Sequence, residues 1–371
     1  MTAPTKTVWP LEPHTRAKHE ILRRYLEAWS AILSLAGFPT IAYVDGFAGP
    51  GVYDNGEDGS PIIALKSALT HQARITAELR FLFIEKDKER AARLEECVNA
   101  IERPIKFKVQ IAGGMSFEDG FRKHLLHPYR EANKPLPPTF AFIDPFGWTG
   151  VRFALVREIL AYNSCEILFN FMYEAINRFI ENPEQARNFD ELFGTDEWRA
   201  VASIAEPRAR RAFLHDLYVS QLRNAAGARH VRSFEMRNKK DATDYFLFFA
   251  TNSAQGIKKM KEAMWKVDQS GEFRFSDATN PAQTLLFEPT PDFLALRRAI
   301  VERFAGTQTT VAEVENFVLA ETPFRETHYK KQVLAELEKT EKLTAVNPKP
   351  GRKARSYADP TMKLTFADDA A

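Results

Sequence analysis

Five short apolar runs, each parted from the next by a helix-length stretch, restrict this chain to an α/β fold built on a parallel sheet. The runs are Thr40 to Val44, Leu79 to Ile84, Ile105 to Ile111, Thr139 to Ile143 and Cys165 to Asn170. Between them the spacing predicts helices from about Pro61 to Thr70, from Lys88 to about Ile101, up to about Tyr129, and from Arg152 to Ala161. Such alternation reads as consecutive βαβ units. An amphipathic helix, Thr15 to Ala36, leads into the first strand: Ile21, Leu22, Tyr25, Leu26, Trp29, Ile32, Leu33 and Leu35 recur at helical spacing, and Gly37 follows as a C-cap. His230 to Glu235 and Tyr245 to Thr251 are expected to close the sheet, and residues 174–227 form a mostly helical insertion.

The pattern changes after a linker at Phe287 to Asp292. Phe293 to Phe304, Val311 to Ala320 and Thr327 to Lys342 read as short helices, and the stretch NPKPGRKARSYADPTMKLTF reads as two short strands around a basic loop. Helices followed by a basic hairpin describe a winged helix. Two domains result, residues 1–286 and 287–371. A chain of 371 residues is also longer than a single core of about 250–300 residues usually serves.

Composition excludes several classes. With 44% hydrophobic and 27% charged residues the chain is neither disordered nor fibrous. Two cysteines, Cys97 and Cys165, supply neither a disulfide framework nor a four-ligand zinc site, and suit a reducing compartment as buried fillers. The first twenty residues lack the apolar core of a signal peptide, and no stretch approaches the roughly 20 apolar residues of a membrane span. The expectation is a cytoplasmic protein without a membrane partner.

Chemistry-bearing residues gather at strand ends, where ligands bind in open α/β sheets. After the first strand comes Asp45-Gly46-Phe47-Ala48-Gly49-Pro50-Gly51, whose glycines let the backbone turn sharply and approach a ligand. Glu85 ends the second strand, where a carboxylate can accept from both hydroxyls of a ribose. The fourth strand runs into Asp144-Pro145-Phe146-Gly147-Trp148: an acid able to accept from an amine, a proline that stiffens the turn, and two aromatic faces for a planar base. A plain tight turn, a solvated acid and a Pro-Gly turn with core aromatics are the bland readings of the three pieces. Their joint occurrence at successive strand ends is far more specific, and is the layout of a Rossmann-like S-adenosylmethionine-dependent methyltransferase. His14, Lys18 and His19 lie before the first strand and are candidates to close over a cofactor. Arg178 and the run Asn170-Phe171-Met172 are candidates for the substrate side.

The loop DGFAGPG looks like methyltransferase motif I, and DPFGW is similar to the (Asp/Asn/Ser)-Pro-Pro-(Tyr/Phe/Trp) motif of amino-methyltransferases, with Phe146 in place of the second proline. More closely, the chain resembles the three-Cys-motif partner proteins of bacteria, a family with a methyltransferase-like domain. KHEILRRYLEAW, YVDGFAGPG with the following GSP, FIEKD, FIDPFGW and GIKKMKEAMWKVD carry the resemblance, from Lys18 to Asp268. It implies S-adenosylmethionine as cofactor, no metal, and a functional partner: a genomically neighbouring three-Cys protein resembling radical S-adenosylmethionine enzymes. The carry-over from methyltransferases puts Asp45, Gly46, Gly49 and Gly51, with Phe47 in the same loop, around the methionine part of the cofactor. It puts Glu85 on the ribose, with Met115, Ser116 and Phe117 beside the adenine. Asp144 would orient a target nitrogen, and Phe146 or Trp148 would pack on the substrate.

The formal net charge of +2 conceals two basic stretches. Residues 207–240 hold nine basic against two acidic residues, and residues 325–357 nine against four. The second falls on the expected recognition helix and wing, through Lys330, Lys331, Lys349, Arg352, Lys353 and Arg355, which makes nucleic acid the expected partner. Solvated helix faces and protein contacts are the bland alternatives. The leading expectation is a methyltransferase acting on an amine of nucleic acid; a non-catalytic adaptor on the same scaffold is the alternative. A nicotinamide enzyme is disfavoured, because the first loop lacks the full GxGxxG spacing.

Overall fold

A long first helix, α1 (Pro13–Leu35), opens the fold in the computed structural model, which describes residues 7–71, 75–278, 291–346 and 353–367. Contacts divide the chain into two compact units, residues 1–263 with 274–283, and residues 264–273 with 284–371. The boundary expected at residues 286 and 287, and most of the expected linker, lie outside the described residues.

In the first unit the order after α1 is β1 (Thr40–Asp45), α2 (Ser60–Thr70), β2 (Glu78–Glu85), α3 (Lys88–Asn99) and β3 (Phe107–Gly113). Next come α4 (Phe117–Phe121) and α5 (His127–Glu131), joined through the π turn Arg122–Leu126. β4 (Thr139–Ile143), α6 (Phe153–Leu160) and β5 (Cys165–Phe171) follow. The insertion carries α7 (Tyr173–Phe179), α8 (Ala186–Phe193) and α9 (Pro207–Ser220). β6 (His230–Arg237), β7 (Thr243–Thr251), α10 (Ala254–Val267), whose residues 264–267 fall in the second unit, and β8 (Arg274–Ser276) complete the sequence.

The eight strands lie in the order β3-β2-β1-β4-β5-β7-β6-β8. β1 is parallel to both β2 and β4, whereas β7 runs antiparallel between β5 and β6. This is a Rossmann-like sheet of the methyltransferase type, with the strand order reversing between β1 and β4. The apolar runs are explained by position. β4, β5 and β7 are buried at every residue, as central strands covered on both faces must be, while edge strand β3 exposes Lys108, Gln110 and Gly113 between less exposed positions. The third strand starts later than its apolar run, since Phe107 N–H bonds to Pro104 in a turn that leaves Ile105 exposed. β8 has three residues, too few to show a period.

Helix α1 is fastened to both ends of the sheet. Tyr25 donates to the buried Glu166, at the start of β5, at 2.5 Å, and Ser34 accepts from Thr76 N–H at 2.6 Å, just before β2. The earlier turns of α1 reach the opposite, carboxyl ends of the strands.

The second unit contains α11 (Phe293–Phe304), β9 (Gln308–Thr310), α12 (Val311–Glu321), a π turn (Lys330–Leu334) running into α13 (Ala335–Lys339), β10 (Leu343–Val346) and β11 (Lys363–Phe366). Its sheet order is β10-β11-β9, both pairings antiparallel, and Leu296, Ile300, Val314, Val318, Val333, Leu337 and Leu364 fill its core. Thr310 and Glu313 cap α12 reciprocally. This is a winged-helix domain. The first wing strand precedes the stretch expected to hold it: Leu343 and Ala345 face inward there, whereas residues 347–352 fall outside the described set. Of the two cysteines expected as buried fillers, Cys165 is fully buried and Cys97 is half-buried. Among the described residues no helix is long and apolar enough to cross a membrane.

Candidate functional site

A cavity of about 170 Å³ opens at the carboxyl ends of β1, β4 and β5 and the amino end of the antiparallel β7. It lies at the switch point between β1 and β4, where doubly wound sheets hold their ligands. The turn after β1 forms one wall through Phe47, Gly49 and Gly51; Asp144, Pro145 and Phe146 after β4 form another. Asn170 and Met172 contribute from the end of β5, Tyr245 from β7, and His14 and Lys18 from α1.

The glycine turn is held by close packing. A Cβ on Gly46 would stand 2.6 Å from the ring of Phe117, and Gly51 has φ +81° with Leu94 Cδ1 2.9 Å from where a Cβ would sit. Glu85, 6% exposed, braces the turn by accepting from Gly49 N–H and from Asp87 N–H, each at 2.8 Å. Its carboxylate therefore supports the loop and does not line the cavity.

Asp45 lies fully buried beneath the turn, accepting from Tyr43 at 3.2 Å and from Phe47 N–H at 3.4 Å. Burial, reinforced by the charge of Asp144, pushes its carboxyl up to about 7 against the opposing hydrogen bond from Ser60. Asp144 is bound on both oxygens. Lys18 Nζ donates to Oδ2 at 2.5 Å, and Asn170 Nδ2 donates to Oδ1 at 2.5 Å. Lys18 is 4% exposed and its ammonium also stands 5.3 Å from the centre of the Tyr245 ring. His14 bonds to Asp277 at 2.7 Å and lies 3.2 Å from Glu12. Burial alone would lower its pKa, but the bonds to these two acids leave it raised. His19 is buried away from the cavity, and desolvation, with Lys18 beside it, takes it down to about 3.

Several expected residues are placed elsewhere. Trp148 does not reach the cavity: its indole stacks on Phe189 and Phe179 and donates to Gln185, so it anchors the helical insertion. Phe117 is buried under Gly46, with its ring against Phe47 and Phe121; Ser116 caps α4 by accepting from Asp119 N–H; and Met115 packs on the core. None of the three lines the cavity. Arg178 is an exposed partner of Glu174, and Phe171 is core, ringed by Phe193, Tyr218 and Phe248.

Trp9, Tyr53, Ser60 and Tyr245 line the cavity without having been singled out. Trp9 bears on Phe146 edge to face at 5.1 Å, under the guanidinium of Arg90 at 5.1 Å, and its carbonyl accepts from Asp54 N–H at 3.1 Å. Nothing local distinguishes these residues in the chain, apart from Ser60 in the GSP that follows the glycine turn.

Residues 274–350 match a family model described as a GMT-like wHTH domain. Of the cations expected to meet nucleic acid, Lys331 on the π turn and Lys353 and Arg355 on the wing are exposed, whereas Lys330 lies 3.4 Å from Glu315. Tyr357 pins the wing to α13 by donating to Glu338 at 2.5 Å. Lys349 and Arg352 lie outside the described residues. The other basic stretch is less available than its charge suggests: Arg210 is bound by Glu181, Arg211 by Glu235, and Arg237 by Glu235 and Asp241.

No curated protein sequence matches the chain. Among solved structures, protein LPL1258 from Legionella pneumophila is 12% identical, covering 67% of this chain and 92% of its own, with a TM-score of 0.36. An O-methyltransferase from Bacillus cereus in complex with SAH is 12% identical, covering 65% and 82%, at 0.34. Human methyltransferase-like protein 13 in complex with SAH is 10% identical, covering 73% and 96%, at 0.35. Likenesses at these scores carry no argument; the strand order of this chain carries the fold assignment.

Proposed function

We propose that the first unit transfers a methyl group from S-adenosylmethionine to an amine nitrogen of nucleic acid, and that the winged helix holds the nucleic-acid backbone. The observation that carries this reading is the cavity at the β1/β4 switch point, lined by the glycine turn together with Asp144 and Asn170. Phe47, Gly49 and Gly51 would hold the methionine part of the cofactor, and a deprotonated Asp45 would balance its positive charge. Bound there, the cofactor supplies a methyl group on a sulfonium, and the protein's task is to aim an amine lone pair in line with it. Asp144 fits that task as a fixed acceptor for an amine hydrogen, with Phe146 beside it as a ring face. A cavity of about 170 Å³ is smaller than the range of about 300–1,000 Å³ usual for sites of this kind, so the bound state requires its walls to widen.

Membership of the three-Cys-motif partner family, a cytoplasmic location and a domain boundary near residues 286 and 287 belong to the same proposal. The test is calorimetry with S-adenosylmethionine. Binding that Asp45→Ala removes is expected, and no binding by the native chain overturns the reading.

One observation favours a second reading. Lys18 already engages the acid that an acceptor amine would use, as suits a non-catalytic adaptor for a neighbouring radical S-adenosylmethionine-like protein. Cofactor binding without methyl transfer to DNA, RNA or that partner, together with a silent Asp144→Ala in cells, would establish it.

A further inference from the structure

Asn170 is 3% exposed and lines the cavity, and its Oδ1 has no hydrogen-bond partner among the described residues. The orientation of the amide is fixed by its neighbour. Nδ2 lies 2.5 Å from Asp144 Oδ1, a carboxylate oxygen that accepts and does not donate, so the free end of the amide is the oxygen. Buried acceptors without a donor are rare, and each calls for an explanation. A structural asparagine with an unmet acceptor costs stability, whereas one completed by a ligand does not.

We infer that Asn170 Oδ1 and Asp144 together grip a primary amino group, each accepting one of its two hydrogens. This rests on the amine-methyltransferase reading and specifies the kind of amine. With Lys18 and Asn170 Nδ2 each taking one lone pair of Asp144, the carboxylate keeps acceptor capacity on both oxygens while its orientation is fixed. An –NH₂ group whose hydrogens are both held in the plane has its lone pair out of that plane, unengaged. A hydroxyl brings one hydrogen and leaves Asn170 Oδ1 unmet; a secondary amine does the same, and a tertiary amine leaves both acceptors unmet. The site therefore selects a primary amine and releases it once it carries a methyl group. Asn170 determines specificity, and Lys18, acting through Asp144, is a positioning residue.

The test uses the full chain loaded with S-adenosylhomocysteine and measures binding by calorimetry. The probes are adenosine with its N6-methyl and N6,N6-dimethyl forms, and cytidine with the matching N4 forms. In at least one series the unmethylated probe should bind tightest, with about a tenfold loss for each hydrogen replaced. Asn170→Ala should flatten the first step of that series; Lys18→Met, which leaves Oδ1 in place, should weaken the whole series while keeping its order. Circular dichroism of both variants separates these effects from unfolding. Equal affinity across both series, or no probe binding to protein that does bind S-adenosylhomocysteine, overturns the inference. Failure of S-adenosylhomocysteine itself to bind overturns the underlying methyltransferase reading instead.

Discussion

The ammonium of Lys18 and the carboxylate of Asp144, 126 residues apart in sequence, meet at 2.5 Å on the wall of the candidate site. Lys18 is almost wholly buried and the Asp144 side chain keeps 20% exposure, so the pair is neither a surface contact nor a fully dry one. Removing one partner leaves the other charge poorly solvated. Lys18→Met should destabilise the fold by about 1–3 kcal/mol, a discounted figure because Asp144 still reaches water. Urea denaturation checks this, and a neutral result would mean that the pair forms only transiently.

Asp45 makes the site sensitive to pH. Its folded-state carboxyl titrates near 7, above the ordinary value of 3.8, so between these limits the folded chain holds a proton that the unfolded chain has lost. Stability from this group is complete below the lower limit and falls as pH rises towards 7, with a slope approaching about 1.4 kcal/mol per unit. Asp45→Asn should erase that slope in denaturation curves recorded from pH 5 to pH 8. A positively charged cofactor favours the ionised acid, so affinity for S-adenosylmethionine should rise between the same two pH values in the native chain and stay flat in the variant.

Glu85 and the glycine turn depend on each other. Glu85→Ala leaves Gly49 N–H and Asp87 N–H without their acceptor and should cost about 1–3 kcal/mol of stability, along with cofactor affinity. Glu85→Gln keeps one acceptor oxygen and should lose less of both. A Glu85→Ala variant as stable as the native chain would show that the brace is dispensable.

Trp148 and Phe146 should separate cleanly. Trp148→Ala removes a half-buried ring stacked on Phe189 and should destabilise by about 2–3 kcal/mol without altering cofactor affinity once the folded fraction is accounted for. Phe146→Ala, on the cavity wall against Trp9, should weaken binding more than it weakens the fold. Paired calorimetry and thermal melts distinguish the two patterns.

On the winged helix, Lys331→Ala, Lys353→Ala and Arg355→Ala should each reduce the salt dependence of DNA binding by about one unit of slope. Lys330→Ala should change it less, since Glu315 already neutralises that side chain. Titrations by fluorescence anisotropy at several salt concentrations measure these slopes.

The sheet was legible because its central strands are mostly apolar runs that end in residues of unlike chemistry: Asp45, Glu85, Asp144 and Asn170. That marked which ends of which strands form a site. What each acid does there was less legible, because Glu85 and Asp45 are engaged by backbone N–H groups and hydroxyls that no strand pattern announces. Trp148 misled for a related reason. Its position after Asp-Pro-Phe-Gly suits a substrate face, but the side chain turns towards the insertion, whose aromatic residues are distant in sequence. Lys18 was visible only as one cation on a helix, and its partner could be found only in three dimensions.

Helix α1 gives the site a lever. Lys18 at the carboxyl ends of the strands and Tyr25 on Glu166 at their amino ends lie seven residues apart, about 10 Å along one helix axis and close to one face of it. Both contacts are made by one unbroken helix, so they share a single rigid support. The position of Lys18 against Asp144 is thereby tied to the seat of the same helix at the amino ends of the strands.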